Sequence, residues 1–94
     1  MLSSDRPSPP VWCFSVFAAA EVSVMPRVLG EFAKRDLLPQ RFDAVVNGGD
    51  LSVDVQVADL AVEVADHIAE VLRGLVHVER VLMATRTRAN EACA

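Results

Sequence analysis

The sequence lacks the features that mark membrane and secreted proteins. No apolar run approaches the roughly 20 residues of a transmembrane helix. Residues 1–10 contain no basic segment followed by an apolar one, so they do not resemble a signal peptide and are predicted to be a disordered leader. The two cysteines, Cys13 and Cys93, lie near opposite ends of the chain and form no recognisable pattern. These absences predict a cytoplasmic protein with reduced thiols.

Positive charge is also scarce. The chain has 9 lysines and arginines against 13 aspartates and glutamates, a net charge of −4. Because binding to nucleic-acid phosphates requires a positive field, this balance argues against nucleic acid as the main partner. Arg86 and Arg88 are basic residues near the C-terminus, and we interpret residues 85–94 as a solvated polar tail.

The sequence contains none of the residue constellations that indicate catalysis. His67 and His77 are ten residues apart with no cysteine at ligand spacing, so no metal site is predicted. Gly48 and Gly49 fit a tight turn rather than a phosphate-binding loop, and no serine lies in a nucleophile elbow. Carboxylates at polar positions of amphipathic segments are interpreted as solvated charges: Asp54, Asp66 and Glu70. We therefore expect no cofactor, no catalytic residues and no enzymatic activity of the chain's own.

The composition is typical of a globular protein, and the spacing of apolar residues changes along the chain between strand-like and helix-like patterns. The 94 residues, 52% of them hydrophobic, suffice for one domain with a modest core. Alternating or continuous apolar patterns predict strands at 11–17, 40–46, 51–57 and 78–84. Repeats every three or four residues predict helices at 23–36 and 61–76, and the Asn-Gly-Gly-Asp run at 47–50 predicts a hairpin turn. The order βαββαβ over residues 11–84 predicts an α+β, ferredoxin-like sandwich with strand order 4-1-3-2.

Both predicted helices are amphipathic, which favours packing of both on one face of the sheet. In the first helix, Ser23 is the predicted N-cap and Pro26 falls in the first turn. Gly30 lies mid-helix, which suggests a close approach to a neighbouring element. Asp59 is the predicted N-cap of the second helix. The predicted apolar stripes are Met25, Val28, Leu29 and Phe32 in the first helix and Val64, Ile68, Val71, Leu72 and Leu75 in the second. The predicted core consists of Val28, Phe32, Val53, Val55, Ile68, Val71 and Leu72.

The first strand is apolar on both sides, since Trp12, Phe14 and Val16 alternate with Cys13 and Phe17. A bulky apolar residue on the open face of a small sheet indicates that another chain covers it. Together with the exposed edge of the second strand, this predicts a homodimer.

Two other classes share this strand order. RNA-binding domains expose aromatic residues among basic ones on the sheet, whereas the third strand here offers Ser52, Asp54 and Gln56. Acylphosphatases need an arginine in the loop after the first strand, and residues 18–23 contain none.

Two segments resemble a known family. Residues 24–35, VMPRVLGEFAKR, resemble the "gvLsRvaglFarRg" helix that opens ACT domains, and residues 75–81, LVHVERV, are similar to their "kLvdVlkV" crossing into the last strand. The chain looks most like the small regulatory subunits of acetolactate synthase. That resemblance implies a non-catalytic homodimer that supports the large thiamine-diphosphate-dependent catalytic chain in branched-chain amino-acid biosynthesis. The alternative is a free-standing ACT-like sensor of another small metabolite.

The resemblance also implies where an effector would bind and how two chains would pair. In the family, an amino acid binds at the dimer interface between the loop after strand one and the start of the neighbour's strand two. The matching positions here are Ala20, Glu21, Ser23, Val24, Met25, Leu38 and Pro39. Family asparagines match Ala20 and Leu38, a family glycine matches Ser23, and Pro39 has no backbone donor, so branched-chain amino acids are expected to bind weakly. Pairing through helix one and strand two would place Gly30, Phe42 and Ala44 at the dimer interface.

Overall fold

The computed structural model describes residues 10–86, and the predictions for residues 1–9, for Arg88 and for Cys93 fall outside them. The elements are β1 (Val11–Ala19), α1 (Val24–Ala33), β2 (Arg41–Asn47), β3 (Asp50–Ala58), α2 (Val62–Arg73) and β4 (Val78–Arg86). The predicted βαββαβ order is confirmed. Both helices are shorter than predicted, and β1 and β4 each extend two residues further.

The four strands form one antiparallel sheet in the order β2-β3-β1-β4, which is the predicted order. The β2–β3 hairpin turns at Gly48, whose φ of 64° is the left-handed conformation expected of a tight turn. The helices pack on one face of this sheet, because residues from both helices join alternate residues of β1 and β3 in a single hydrophobic cluster. The opposite face, which we call the open face, carries the other alternate residues.

The core is formed mainly by β1, β3 and the two helices. Phe14 and Phe32 meet edge to face, with ring centroids 5.2 Å apart and an interplanar angle of 68°. Every predicted core residue is buried except Val71, which is half-buried.

Helix α1 ends before the predicted limit because a left-handed residue closes it. Asp36 has a φ of 62°, and the N–H groups of Asp36 and Leu37 donate to the carbonyls of Ala33 (2.9 Å) and Phe32 (3.0 Å). This is the Schellman arrangement, in which two hydrogen bonds satisfy the last carbonyls of a helix. Leu37 then packs against the core.

The buried face of α1 is rotated relative to the predicted stripe. Val24, Val28 and Phe32 enter the core, whereas Met25 and Leu29 stay 36% and 41% exposed. Glu31, which lies outside the predicted apolar stripe, is only 9% exposed.

Two neighbouring cations hold the Glu31 carboxylate. It pairs with the Lys34 ammonium at 3.0 Å and the Arg35 guanidinium at 2.9 Å. Burial by itself would raise the pKa of Glu31, but the hydrogen bonds and charges of Arg35 and Lys34 outweigh that effect and lower the pKa below its usual value. Glu31 is therefore a charged group that fixes the last turn of α1.

Helix α2 differs from its prediction at its start and in its face. Ala61, not Asp59, occupies the N-cap position, so the predicted aspartate cap is wrong. Asp59 instead has a φ of 60° in the preceding turn, a conformation that aspartate tolerates better than most residues. The buried face includes Ala65 and Ala69, while Val64 is exposed.

In α1, Ser23 does hold the N-cap position, but its side chain makes no capping hydrogen bond.

Several expectations about chemistry can be compared with the described residues. Cys13 is buried and disulfide-bonded, which disagrees with the predicted reduced thiols. His67 and His77 are exposed, and within residues 10–86 no group of three histidine, cysteine or acidic side chains is placed to hold a metal ion. No helix in the same range is long and apolar enough to cross a bilayer.

Candidate functional site

A small apolar groove lies between the start of α1 and the edge strand β2. We call it the α1–β2 groove, and its volume is about 160 Å³. The residues that line it are Ala20, Glu21, Val22, Met25, Val46 and Leu51. It forms because β1 ends at Ala19 and the chain turns at once into α1, with the loop tied to the hairpin turn by the Ala20 N–H, which donates to the Gly49 carbonyl at 3.0 Å.

One wall of the groove is the helix-side face of β2. The register pairs Phe42, Ala44 and Val46 with Val55, Val53 and Leu51, so these β2 side chains share the face of the core. The three β3 residues are nearly inaccessible, whereas Ala44 is exposed and Val46 is 62% exposed. The helix layer therefore covers β3 but leaves most of β2 uncovered.

The other wall is the exposed flank of α1. Met25 lines the groove, and Leu29 follows one turn later on the same side of the helix. Gly30 is next to Leu29, and a Cβ built on it would meet nothing within 4 Å. No neighbouring element of the same chain therefore approaches Gly30 closely, contrary to the prediction, and the space beside it is open.

The chemistry of the groove suits an apolar side chain better than a free amino acid. Its lining carries one ionisable group, the Glu21 carboxylate, which repels another carboxylate. The Val24 N–H, at the first residue of α1, already donates to the Glu21 carbonyl at 3.1 Å. The volume also lies below the roughly 300 Å³ of typical small-molecule sites.

Only some of the predicted effector positions lie together in the structure. Ala20, Glu21 and Met25 line the groove together. Ser23 is half-buried at the start of α1, and Val24 is buried in the core. Leu38 and Pro39 lie in the loop that leads from the far end of α1 into β2, so they are not part of the groove within one chain.

Sequence reasoning missed Val22, Val46 and Leu51 as lining residues. The period-2 pattern of β2 contained the signal for Val46, because it places that residue on the same face as Phe42 and Ala44, both predicted at a dimer interface. Phe42 is half-buried against the core and Ala44 is exposed, so the groove side of β2 becomes more accessible toward the hairpin turn.

Comparisons with known proteins agree with the βαββαβ fold. The family model described as an ACT-like domain matches residues 10–90. The crystal structure of the ACT domain from the GTP pyrophosphokinase of Chlorobium tepidum superposes with a TM-score of 0.70 at 11% identity, covering 79% of this chain and 96% of that one. The solution structure of the C-terminal domain of the MgtC protein from Mycobacterium tuberculosis gives a TM-score of 0.69 at 9% identity, covering 90% and 96%. No curated protein sequence matches the chain.

Proposed function

This chain belongs to the ACT-like domain family, and from that membership we propose that it is a non-catalytic regulatory subunit that works as a homodimer. The observation that carries the proposal is the α1–β2 groove. Apolar side chains of a helix and of an edge strand converge there, and within residues 10–86 Met25 and Val46 remain 36% and 62% exposed. An exposed apolar surface of this kind is typical of a protein–protein interaction site.

The same surface supports pairing of two copies through α1 and β2. Strand β2 is at the sheet edge, so its outer N–H and C=O groups have no strand partner among the described residues. Gly30 leaves room for a neighbouring backbone to approach α1 closely. In a two-fold dimer each chain would contribute both walls, so one contact would bury Met25, Leu29 and Val46 of both copies.

Sedimentation at micromolar concentration tests the dimer, and the expected mass is about twice the 10.2 kDa of one chain. Two neighbouring valines on β2 provide a matched pair of variants, because Val46 faces the groove and Val45 faces the open side, with exposures of 62% and 60%. Val46→Lys should give a monomer, and Val45→Lys should remain dimeric. A monomeric wild-type chain, or equal behaviour of the two variants, would contradict the proposed interface.

For the partner of this dimer, we propose the large thiamine-diphosphate-dependent catalytic chain of acetolactate synthase. The support is the resemblance of residues 24–35 and 75–81 to the small subunits of that enzyme. The two structural neighbours are named as domains of larger proteins, which is consistent with an accessory role for the fold. A cytoplasmic location follows from this partnership and is part of the same proposal.

Co-purification tests the partnership. The tagged chain, expressed in its own host, should retain the catalytic subunit and raise or stabilise its activity when the two are mixed. The Val46→Lys variant should lose that effect if the dimer is the active form. Failure to retain any catalytic chain, together with metabolite-induced thermal shifts of the isolated protein, would favour the alternative of a free-standing sensor.

A further inference from the structure

Two buried side chains lie outside the core, on the open face of the sheet. Val11 and Cys13 are each only 4% exposed, yet neither belongs to the hydrophobic cluster beneath the helices. They alternate along β1 with Trp12 and Phe14, which pack on the helix side, so Val11 and Cys13 project to the opposite side. Both helices of residues 10–86 lie on the other face. Something other than these helices therefore covers this end of the open face.

The cover is local to the place where β1 begins. Ala84 pairs with Cys13 from β4 and is exposed. Further along the same face, Phe17 is half-buried and Leu82 is 53% exposed. Burial on the open face is therefore confined to the Val11 and Cys13 positions, which is the footprint of a short piece of chain.

The Arg86 side chain forms part of this cover. Arg86 pairs with Val11 and Gln56 pairs with Cys13, and the Arg86 Nη2 group donates to the Gln56 Oε1 atom. The Arg86 side chain therefore crosses β1 above these two residues. Its Nε atom is itself shielded from solvent, which indicates that more of the chain lies over it. Arg86 is the last residue of β4, so the segment that follows begins at this point.

The state of Cys13 identifies the segment. Cys13 is disulfide-bonded, and the other cysteine of the sequence is Cys93. Six residues, 87–92, separate Cys93 from Arg86, and an extended stretch of that length spans roughly 20 Å. Cys13 is two residues along β1 from the partner of Arg86, or roughly 7 Å. The stretch is therefore long enough to turn after β4 and bring Cys93 within the Cα separation of about 4.4–6.8 Å that a disulfide requires.

We propose that residues 87–94 fold back over Val11 and Cys13, and that a Cys13–Cys93 disulfide holds them there as a redox-controlled cover of the open face. A dithiol reductant opens the bond: it supplies two electrons and two protons, its own sulfurs join as a disulfide, and Cys13 and Cys93 become thiols. The released segment is then a solvated tail. Disulfides in reducing compartments are usually transient and redox-sensing, which fits a bond that closes only under oxidising conditions.

This inference goes beyond the proposed function and does not depend on the dimer, because the cover lies on the other face from the α1–β2 groove. Alkylation with iodoacetamide in denaturant, followed by mass spectrometry, tests the bond. Protein equilibrated with oxidised glutathione should take up no label and remain a single chain on a non-reducing gel. After dithiothreitol it should take up two labels, on Cys13 and Cys93. Two labels before reduction, a glutathione adduct or disulfide-linked chains would overturn the pairing.

Limited trypsin digestion tests the cover itself. Cleavage after Arg88 should be at least about tenfold faster in the reduced protein than in the oxidised one, because a released segment is open to the protease. Cys93→Ser should be cleaved rapidly in both redox states. Ala92→Ser is the matched control, since it makes a similar change one residue away and keeps both cysteines.

NMR locates the change and shows whether the domain survives it. Amide shifts between the oxidised and reduced forms should concentrate on the covered end of the open face, at Val11, Cys13, Gln56 and Arg86, and should spare α1 and β2. Far-UV circular dichroism should be unchanged by reduction. Equal cleavage in the two redox states, shifts confined to α1 and β2, or unfolding on reduction, which would make the bond a permanent staple, would overturn the proposal.

Discussion

Strands β3 and β2 are neighbours with similar apolar alternation and very different surroundings. Leu51, Val53 and Val55 of β3 are buried under the helices. Their partners on β2 share the same face, yet Val46 is largely exposed. Alternation therefore specifies which face of a strand is apolar, but it does not specify what covers that face. In this fold β3 is covered by its own chain, and the apolar face of β2 stays largely exposed as the proposed interface.

The same contrast divides helix α1. Phe32 and Val28 fill the core. Met25 lines the groove beside β2, and Leu29, one turn later on the same side of the helix, is 41% exposed. One amphipathic helix thus contributes to two surfaces: the interior of the domain and the proposed interface. Changes on the two sides should have separable effects, on stability for the first and on assembly for the second.

The largest expected effect comes from removing the aromatic core of α1. Phe32→Ala should lower the free energy of unfolding by about 3–5 kcal/mol, because it empties a buried site beside Phe14. Leu29→Ala, on the exposed flank of the same helix, should cost less than about 1 kcal/mol when the monomer is measured. Urea denaturation at high dilution gives both values. A loss below 1 kcal/mol for Phe32→Ala would show that the core has been assigned wrongly.

A smaller effect distinguishes the two strands directly. Val53→Ala on β3 should cost about 2 kcal/mol at any protein concentration, because the side chain is fully buried. Val46→Ala on β2 should cost less than about 0.5 kcal/mol at high dilution and more at high concentration, where the dimer adds stability. Denaturation of both variants across a range of protein concentrations makes this comparison. An equal and concentration-independent cost would remove the distinction between the strands.

These contrasts show which features of the fold can be predicted from the sequence. The six elements follow from hydrophobic period, since each period is tied to one backbone geometry. The strand order follows from matching their βαββαβ succession to the ferredoxin-like arrangement. The apolar stripe predicts that one side of α1 lies on the sheet, but amphipathicity reports that Met25 and Leu29 are apolar without identifying their neighbour. Asp59 was assigned to a helix cap because aspartate favours both caps and left-handed turns, and only the backbone separates the two.

The candidate site was predictable in part. Of the predicted effector positions, Ala20, Glu21 and Met25 meet in one groove at the start of α1. Leu38 and Pro39 do not join them, because the ten residues of α1 separate the two loops by roughly 15 Å along the helix axis. Only a neighbouring copy could bring that second loop to the groove, which is a property of an assembly rather than of one chain.

The charged groups at the end of α1 should make a modest, pH-dependent contribution to the free energy of unfolding. Glu31→Gln should destabilise the fold by about 1 kcal/mol at neutral pH, since it removes a buried carboxylate held by Lys34 and Arg35. The pKa of Glu31 is lowered in the folded state, so its contribution is complete above the unfolded value of 4.5 and is lost as the pH falls through the folded pKa. The wild type and the variant should therefore converge in stability in acid.

Urea titrations at neutral pH and near pH 2 measure that convergence for Glu31→Gln. Glu70→Gln is the matched control, because Glu70 forms an exposed i,i+3 pair with Arg73 that should contribute less than about 0.5 kcal/mol. A gap between wild type and Glu31→Gln that persists unchanged in acid would show that the carboxylate acts through packing rather than charge.

The smallest expected signal is the binding of branched-chain amino acids at the α1–β2 groove. Ala20 and Leu38 supply no side-chain donor, Pro39 has no backbone N–H, and the Val24 N–H is already hydrogen-bonded within the loop. What remains is the positive end of α1, which contributes about 0.3–1 kcal/mol to an exposed anion, beside the opposing charge of Glu21. We expect valine, leucine and isoleucine to bind there with dissociation constants of about 1 mM or weaker. Calorimetry on the wild-type protein measures this binding, and Val46→Lys, which changes the groove, is titrated in parallel as the control. A micromolar dissociation constant for valine that disappears in Val46→Lys would show that an assembled dimer supplies the donors that one chain lacks.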